Sequence, residues 1–180
     1  MTPSQILKSV AFLSIVIVGA YAPKVTVEYD RTADFSAFQT YAWARGVQAT
    51  NPLIDRRIIE AVDWRLGAGG LQRVDGSGDP DLIVVYYTSD ETPLKVDITN
   101  LEGWGSGWSW NSGVAGASRA EVEQIAPGEL AINIARVKDK KFIWHGSATG
   151  FVSDRPARTL KTLNNVIDRM FQKFPPVYKK

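Results

Sequence analysis

Hydrophobic and polar residues follow regular patterns along most of the chain, and these patterns predict strands and helices. Alternation over Lys24–Asp30 predicts a half-buried strand, and a second strand is expected at Thr40–Trp43, after a short turn capped by Asp34. The run Leu82–Tyr87 is apolar on both of its alternating faces, as is typical of a central strand. Further strands are predicted at four segments: 94–99, 120–126, 129–137 and 141–152.

Two segments have the apolar spacing of amphipathic helices. The first begins with Asn51 as N-cap and Pro52 in the first turn, and it stops at the glycine-rich stretch 67–70. The second is predicted over Ala157–Phe174, where Pro175 follows and ends it. The apolar positions of the first helix are Ile54, Ile58, Ala61, Val62 and Leu66.

The order of these elements predicts the fold class. Strands joined by short hairpins form antiparallel pairs, and two amphipathic helices must bury their apolar faces against the resulting sheet. We therefore expect a single α+β domain over residues 21–180, an antiparallel β-sheet with both helices packed on one face. A loop rich in tryptophan and glycine, residues 100–117, interrupts the strand pattern.

The first twenty residues have the features of a secretory signal. Lys8 precedes an apolar run, Val10–Val18, that is shorter than a membrane span requires, and small residues follow it. We expect cleavage after Ala20, since a cut after Ala22 would leave Pro23 next to the scissile bond. An uncleaved anchor or a buried apolar helix is the alternative interpretation. With cleavage, the mature chain is predicted to be periplasmic.

Composition narrows the classes of function. Twenty-one lysines and arginines against 19 aspartates and glutamates give a formal net charge of +2, too balanced to indicate nucleic-acid binding. The absence of cysteine excludes disulfides, thiolate metal sites and cysteine nucleophiles.

The single histidine, His145, is the obvious candidate for a general base. Strand alternation predicts that it shares a face with Ile143, while Phe142 and Trp144 occupy the other face, which makes it an ordinary surface-facing residue. Catalysis would also need a nucleophile and an orienting acid, for which Asp81 or Glu102 would have to serve.

No nucleophile elbow or phosphate-binding loop accompanies these residues. The sequence therefore predicts a protein that is not an enzyme and that needs no cofactor.

The segment 75–81 carries oxygen-bearing side chains at alternate positions, as the start of a calcium loop does. An EF-hand loop beginning at Asp75 requires glycine at its sixth position and an acidic residue at its twelfth. Those positions hold Pro80 and Tyr86, so we interpret the segment as a structural turn and predict no metal site.

Several stretches together resemble the bacterial domain-of-unknown-function family 4136. The most specific are "DFSAFQTYAW" near the start and the pattern L-x-I-x-I…W-x-G from Leu130 to Gly146, and the resemblance extends from about Val25 to Pro176. It implies a protein of the cell envelope, often a lipoprotein, with no established activity and no catalytic residues to transfer.

The chain departs from that family pattern in two places. Ala20 stands where a lipobox would place its lipidated cysteine, so membrane association could not occur through that anchor. His145 stands in "WHG", where the family pattern has "WRG".

The loop 100–117 carries three tryptophans that are candidates for a contact surface: Trp104, Trp108 and Trp110. Tryptophan is enriched in binding hot spots, so the leading hypothesis is a non-enzymatic envelope domain that binds an envelope protein or a cell-wall component. The alternative is a glycan- or membrane-surface binder, since flat rings stack on sugars and indoles favour the membrane interface. In a third interpretation these rings pack back onto the edge of the sheet.

Overall fold

A computed structural model of the protein describes residues 22–74, 79–89, 93–97, 122–152, 156–172 and 174. The strands are β1 (Lys24–Tyr29), β2 (Thr40–Trp43), β3 (Gln72–Arg73), β4 (Leu82–Ser89), β5 (Leu94–Asp97), β6 (Val122–Ile125), β7 (Glu129–Arg136) and β8 (Lys141–Thr149). The helices are α1 (Pro52–Ala68) and α2 (Pro156–Gln172), and a single 3₁₀ turn spans Phe35–Ala37.

Six of the strands form the main sheet, in the order β1-β8-β7-β4-β2-β3. The α+β class is confirmed, but the expectation of a purely antiparallel sheet is wrong, because β2 runs parallel to both β3 and β4. The reason is the connection: α1 lies between β2 and the strands that follow it, and such a helical crossover returns the chain in the same direction. The hairpin-connected strands β7 and β8 pair antiparallel, as predicted.

Local sequence explains where the first helix begins and ends. The side chain of Asn51 accepts a hydrogen bond from the backbone N–H of Leu53, and Pro52 opens the first turn. Gly69 caps the other end, where its N–H bonds to the carbonyl of Arg65. The predicted caps are confirmed, including Asp34 at the start of the 3₁₀ turn.

Both helices pack on the same face of the sheet, as predicted. The core between the helices and the sheet is built from buried residues of α1 and α2 and from one face of β4, β7 and β8. Trp144 is the largest of its fully buried side chains, and its ring lies 5.0 Å from that of Phe171.

The opposite face of the sheet, here called the second face, holds a smaller core. Its members on β4 and β7 include Ile83, Val85 and Ala131, all fully buried. Sheet β5–β6, a separate antiparallel pair, contributes Ile125 to this core, also with no exposed surface. The two strands predicted around the tryptophan loop therefore exist, but outside the main sheet.

A β-bulge changes which residues of β8 share a face. The register with β7 shifts between Ile134 and Ala135, so that Trp144 lies opposite Ile134 while Phe142 lies opposite Ala135. Ile143 and Trp144 consequently both join the core beneath the helices, and Phe142 packs with the second face. The predicted grouping of Phe142 with Trp144 is wrong, since an extra residue breaks the alternation.

Candidate functional site

The three candidate contact residues, Trp104, Trp108 and Trp110, lie outside the described residues, as does the whole loop 100–117. The structure does describe the strands on either side of it. Asp97 at the end of β5 pairs with Val122 at the start of β6. The two ends of the intervening segment are therefore neighbours, at the open end of a two-stranded arm.

This arm is fixed to the second face of the main sheet. Ile125 of β6 is fully buried there, and Leu94 of β5 is partly buried against the same core. Close to the arm, the N–H of Gly128 bonds to the carbonyl of Ser89 at 2.7 Å, which ties the turn after β6 to the end of β4.

His145 projects from β8 opposite Asn133 of β7. Its Nδ1 lies 2.6 Å from Oδ1 of Asn133, whose side chain is buried, and His145 itself is half-buried rather than surface-facing. The orienting partner of the imidazole is thus an amide across the strand pair. Asp81 lies elsewhere, at the start of β4, and Glu102 is outside the described residues.

Asp81 links two strands of the main sheet through hydrogen bonds to the backbone. Its Oδ2 accepts hydrogen bonds from the backbone N–H groups of Gln39 and Thr40, at 2.8 and 3.0 Å. The carboxylate therefore joins the start of β4 to the start of β2, in keeping with a structural turn. Residues 75–78 of the calcium-like segment lie outside the described part of the chain.

Asp63 of α1 is the centre of a polar cluster that includes three side chains of β2 and β3. Its Oδ1 accepts from the hydroxyl of Tyr41 at 2.7 Å and from Nε1 of Trp43 at 2.8 Å. Its Oδ2 pairs with Nη1 of Arg73 on β3 at 2.9 Å. One carboxylate thereby fastens α1 to two strands at the edge of the sheet.

A second carboxylate of α1, Asp55, accepts a hydrogen bond from the hydroxyl of Tyr86. That hydroxyl also accepts from the backbone N–H of Ala49 at 3.2 Å. Burial, followed by the hydrogen bond to Asp55, raises the pKa of Tyr86 well above its usual range, so the phenol stays neutral and keeps donating. The arrangement holds a loop against α1 and does not supply a base.

Sequence reasoning missed one surface feature, although its signal was present. Trp64 and Leu53 lie on the outward face of α1 and are among the most exposed large apolar side chains, at 64% and 63%. Their spacing of eleven residues puts them on one stripe of a helix, opposite the buried Ile58 and Val62.

The described residues contain neither a cluster of metal ligands nor a membrane-spanning helix. Within those ranges, His, Asp and Glu side chains form no group of three or more that could hold a metal ion. In the same part of the chain, neither helix has the length and apolar character needed to cross a bilayer.

The sequence matches the profile of the domain of unknown function DUF4136 over residues 25–176. The chain belongs to the DUF4136 family. A comparison of this DUF4136 chain with curated protein sequences finds no match.

Solved structures share the DUF4136 fold at low sequence identity. A DUF4136 family protein from Bacteroides thetaiotaomicron superposes with a TM-score of 0.60 at 16% identity, covering 88% of this chain and 98% of that one. PelC from Paraburkholderia phytofirmans, crystallised as a dodecamer, gives 0.51 at 8% identity, with 88% and 99% covered. A PDZ domain protein from Parabacteroides distasonis gives 0.50 at 18% identity, with 88% and 37% covered. These likenesses show the fold of the DUF4136 chain and nothing about its ligands.

Proposed function

We propose that this DUF4136 protein is an exported, non-enzymatic domain of the cell envelope that binds another envelope component through its tryptophan-rich loop. The observation that carries this proposal is the anchored β5–β6 arm. Because Ile125 is fully buried on the second face, the arm is fixed to the domain, and Asp97 and Val122, the described residues on either side of the loop, pair at its tip. A rigid base reduces the entropy lost when a loop binds.

The hydrogen bonds that three half-buried aspartates accept support a role other than catalysis. Asp55, Asp63 and Asp81 each accept hydrogen bonds that join separate elements of the fold. His145 is oriented by the amide of Asn133, which lies opposite it on β7. A general acid or base must reach a substrate proton, whereas these three carboxylates are committed to structural donors.

Export would place the loop among envelope components. The signal-like segment before Tyr21 supports this location, and we expect the mature protein to begin at Tyr21. Intact-mass measurement of protein purified from the periplasmic fraction tests both points together. A full-length chain confined to the cytosolic fraction would contradict the proposed location.

The contact itself is tested by removing the three rings. Affinity capture from envelope extract is compared between the unchanged protein and the triple variant Trp104→Ala, Trp108→Ala, Trp110→Ala. Tyr29→Ala serves as the matched control, because it removes an exposed aromatic ring of β1, away from both the loop and the helices. We expect loss of the captured component only in the triple variant, and equal capture by all three proteins would contradict the proposal.

A glycan or membrane surface is the alternative target of the same loop, since indole rings stack on sugars and favour lipid headgroups. Sedimentation with purified peptidoglycan and with phospholipid vesicles separates these cases. Binding to either that is lost in the triple variant would favour the alternative over a protein partner.

A further inference from the structure

The outward side of the helical layer carries a concentration of positive charge. Six cations of α1 and α2 lie on or beside it: Arg56, Arg57, Arg65, Arg158, Lys161 and Arg169. Of the carboxylates of α1 and α2, only Glu60 and Asp168 accompany them. The other two carboxylates of α1, Asp55 and Asp63, bond inward to residues of the sheet. We call this surface the helical face.

The charge of the helical face differs in sign from that of the rest of the protein. Six cations against two carboxylates leave a formal surplus of +4 on it, whereas the whole chain has a net charge of +2. The remainder of the chain is therefore formally negative. A positive face on an otherwise weakly acidic protein orients the molecule in the field of a negatively charged surface.

Both carboxylates of the helical face are already neutralised by neighbours. Asp168 receives Nε and Nη2 of Arg65 at 2.9 and 2.6 Å, a bridge that also joins α2 to α1. Glu60 lies 3.6 Å from Arg57. No long-range negative field from these groups opposes the remaining cations.

An exposed indole lies among these charges. Trp64 has 64% of its surface exposed, and the guanidinium carbon of Arg65 lies 4.7 Å from the centre of its ring. Since Asp168 fixes Arg65, the cation holds the ring in place by a cation–π contact. Leu53, 63% exposed, lies on the same stripe of α1.

We propose that the helical face docks on the surface of an anionic phospholipid bilayer. Lysine and arginine attract anionic headgroups, and tryptophan prefers the depth of the headgroups, so the two residue types act together at one surface. Because the two helices lie side by side on the sheet, their cations and the indole of Trp64 form a broad layer that can contact a planar membrane surface. This contact would give the chain a membrane attachment that needs no lipidated cysteine.

The proposal is independent of the tryptophan-rich loop, because it rests on residues of α1 and α2 alone. It holds whether or not the loop binds an envelope component, and its test uses different residues.

Vesicle co-sedimentation of the mature chain, which begins at Tyr21, tests the charge component. The unchanged protein should bind vesicles of phosphatidylglycerol and phosphatidylethanolamine at about 0.05 M salt, and much less at about 0.5 M, where screening is stronger. Arg56→Gln, Arg158→Gln and Lys161→Gln together should lower partitioning about a hundredfold, since each cation contributes about fivefold. The matched control, Lys24→Gln, Lys95→Gln and Lys138→Gln, removes as many exposed cations elsewhere and should bind like the unchanged protein.

The orientation on the membrane is tested by labelling. Because the chain has no cysteine, one introduced thiol can carry an environment-sensitive fluorophore. A label at Asn165→Cys, exposed on α2, should shift to the blue when vesicles are added. A label at Thr26→Cys, exposed on β1 and directed to the second face, should not. Trp64→Ser should weaken binding at both salt concentrations, because the apolar contribution is not screened.

Four outcomes would overturn the proposal. These are no binding of the unchanged protein to anionic vesicles; equal weakening by the two triple variants; a spectral shift at position 26 and none at 165; and binding to a soluble sulfated polysaccharide with none to vesicles. The third outcome would indicate the tryptophan-rich loop instead, which Trp104→Ser, Trp108→Ser and Trp110→Ser would then confirm.

Discussion

Replacing Asp63 by alanine should remove the strongest polar link between α1 and the edge of the sheet. The carboxylate accepts from Tyr41 and Trp43 and pairs with Arg73. Without it the hydroxyl of Tyr41, a residue only 2% exposed, keeps its burial but loses its acceptor. A buried donor without a partner costs about 1–3 kcal/mol, and a hydrogen bond to a charged group is worth about 1.5–3 kcal/mol.

We therefore expect Asp63→Ala to lower the free energy of unfolding by about 2–4 kcal/mol. Urea denaturation followed by circular dichroism measures this directly. With a slope of about 2 kcal/mol per molar urea, the midpoint should fall by about 1–2 M.

Two further variants separate the hydrogen bonds from the ion pair. Asp63→Asn keeps an acceptor oxygen for Tyr41 and Trp43, and Arg73→Gln removes only the partly exposed cation. Each should cost about 1 kcal/mol or less, since exposed ion pairs contribute little. The prediction is refuted if the free energy of unfolding of Asp63→Ala lies within about 0.5 kcal/mol of that of the unchanged protein. It is also refuted if Asp63→Asn lowers the free energy of unfolding as much as Asp63→Ala does.

Two other predictions concern packing and pH. A Cβ at Gly146 would lie 2.5 Å from the ring of the buried Trp144, whereas one at Gly67 meets nothing within 4 Å. In thermal denaturation, Gly146→Ala should therefore destabilise the protein by about 1–3 kcal/mol, while the helical Gly67→Ala stabilises it by up to about 1 kcal/mol; shifts of equal sign would contradict this. The hydrogen bonds from Arg136 hold the pKa of Asp139 below its ordinary value of 3.8. Because the folded pKa is lowered, the turn's stabilisation is present above 3.8 and disappears as the pH falls through the folded value. Carboxyl titration by NMR should show this midpoint returning toward 3.8 in Arg136→Gln, and an unmoved midpoint would count against the pairing.

The candidate binding residues could be selected from sequence only by type and context. Tryptophans 104, 108 and 110 stood out because large apolar rings are unusual among glycines and serines. Their contact role stays a prediction, since the described residues stop at Asp97 and resume at Val122. Trp64 was not predicted as a contact residue, although its helical position places it with Leu53 on the side of α1 opposite the buried Ile58 and Val62.

The sequence by itself determined the local elements and the family. The cap at Asn51, the stop at Gly69 and the apolar spacing between them define α1, because helix ends depend on neighbouring residues. The uninterrupted apolar run of β4 identified a central strand, and it lies between β7 and β2 in the sheet. The motifs at the start and in the β7–β8 pair indicated the family that the whole-chain comparison confirms.

Only the tertiary structure decided how these elements combine. A hydrophobic pattern is the same for a parallel and an antiparallel strand, so it could not predict that β2 pairs parallel with β4. That direction is set by the path of the chain through α1. The bulge beside Ile134 depends on register between two strands, and it moved Phe142 to the face opposite Trp144. The hydrogen-bond partners of Asp63 are 10 to 22 residues away along the chain. A local sequence pattern cannot predict which distant donors will bond to a carboxylate. Contacts between distant segments arise from packing, and packing is settled only when the whole chain has folded.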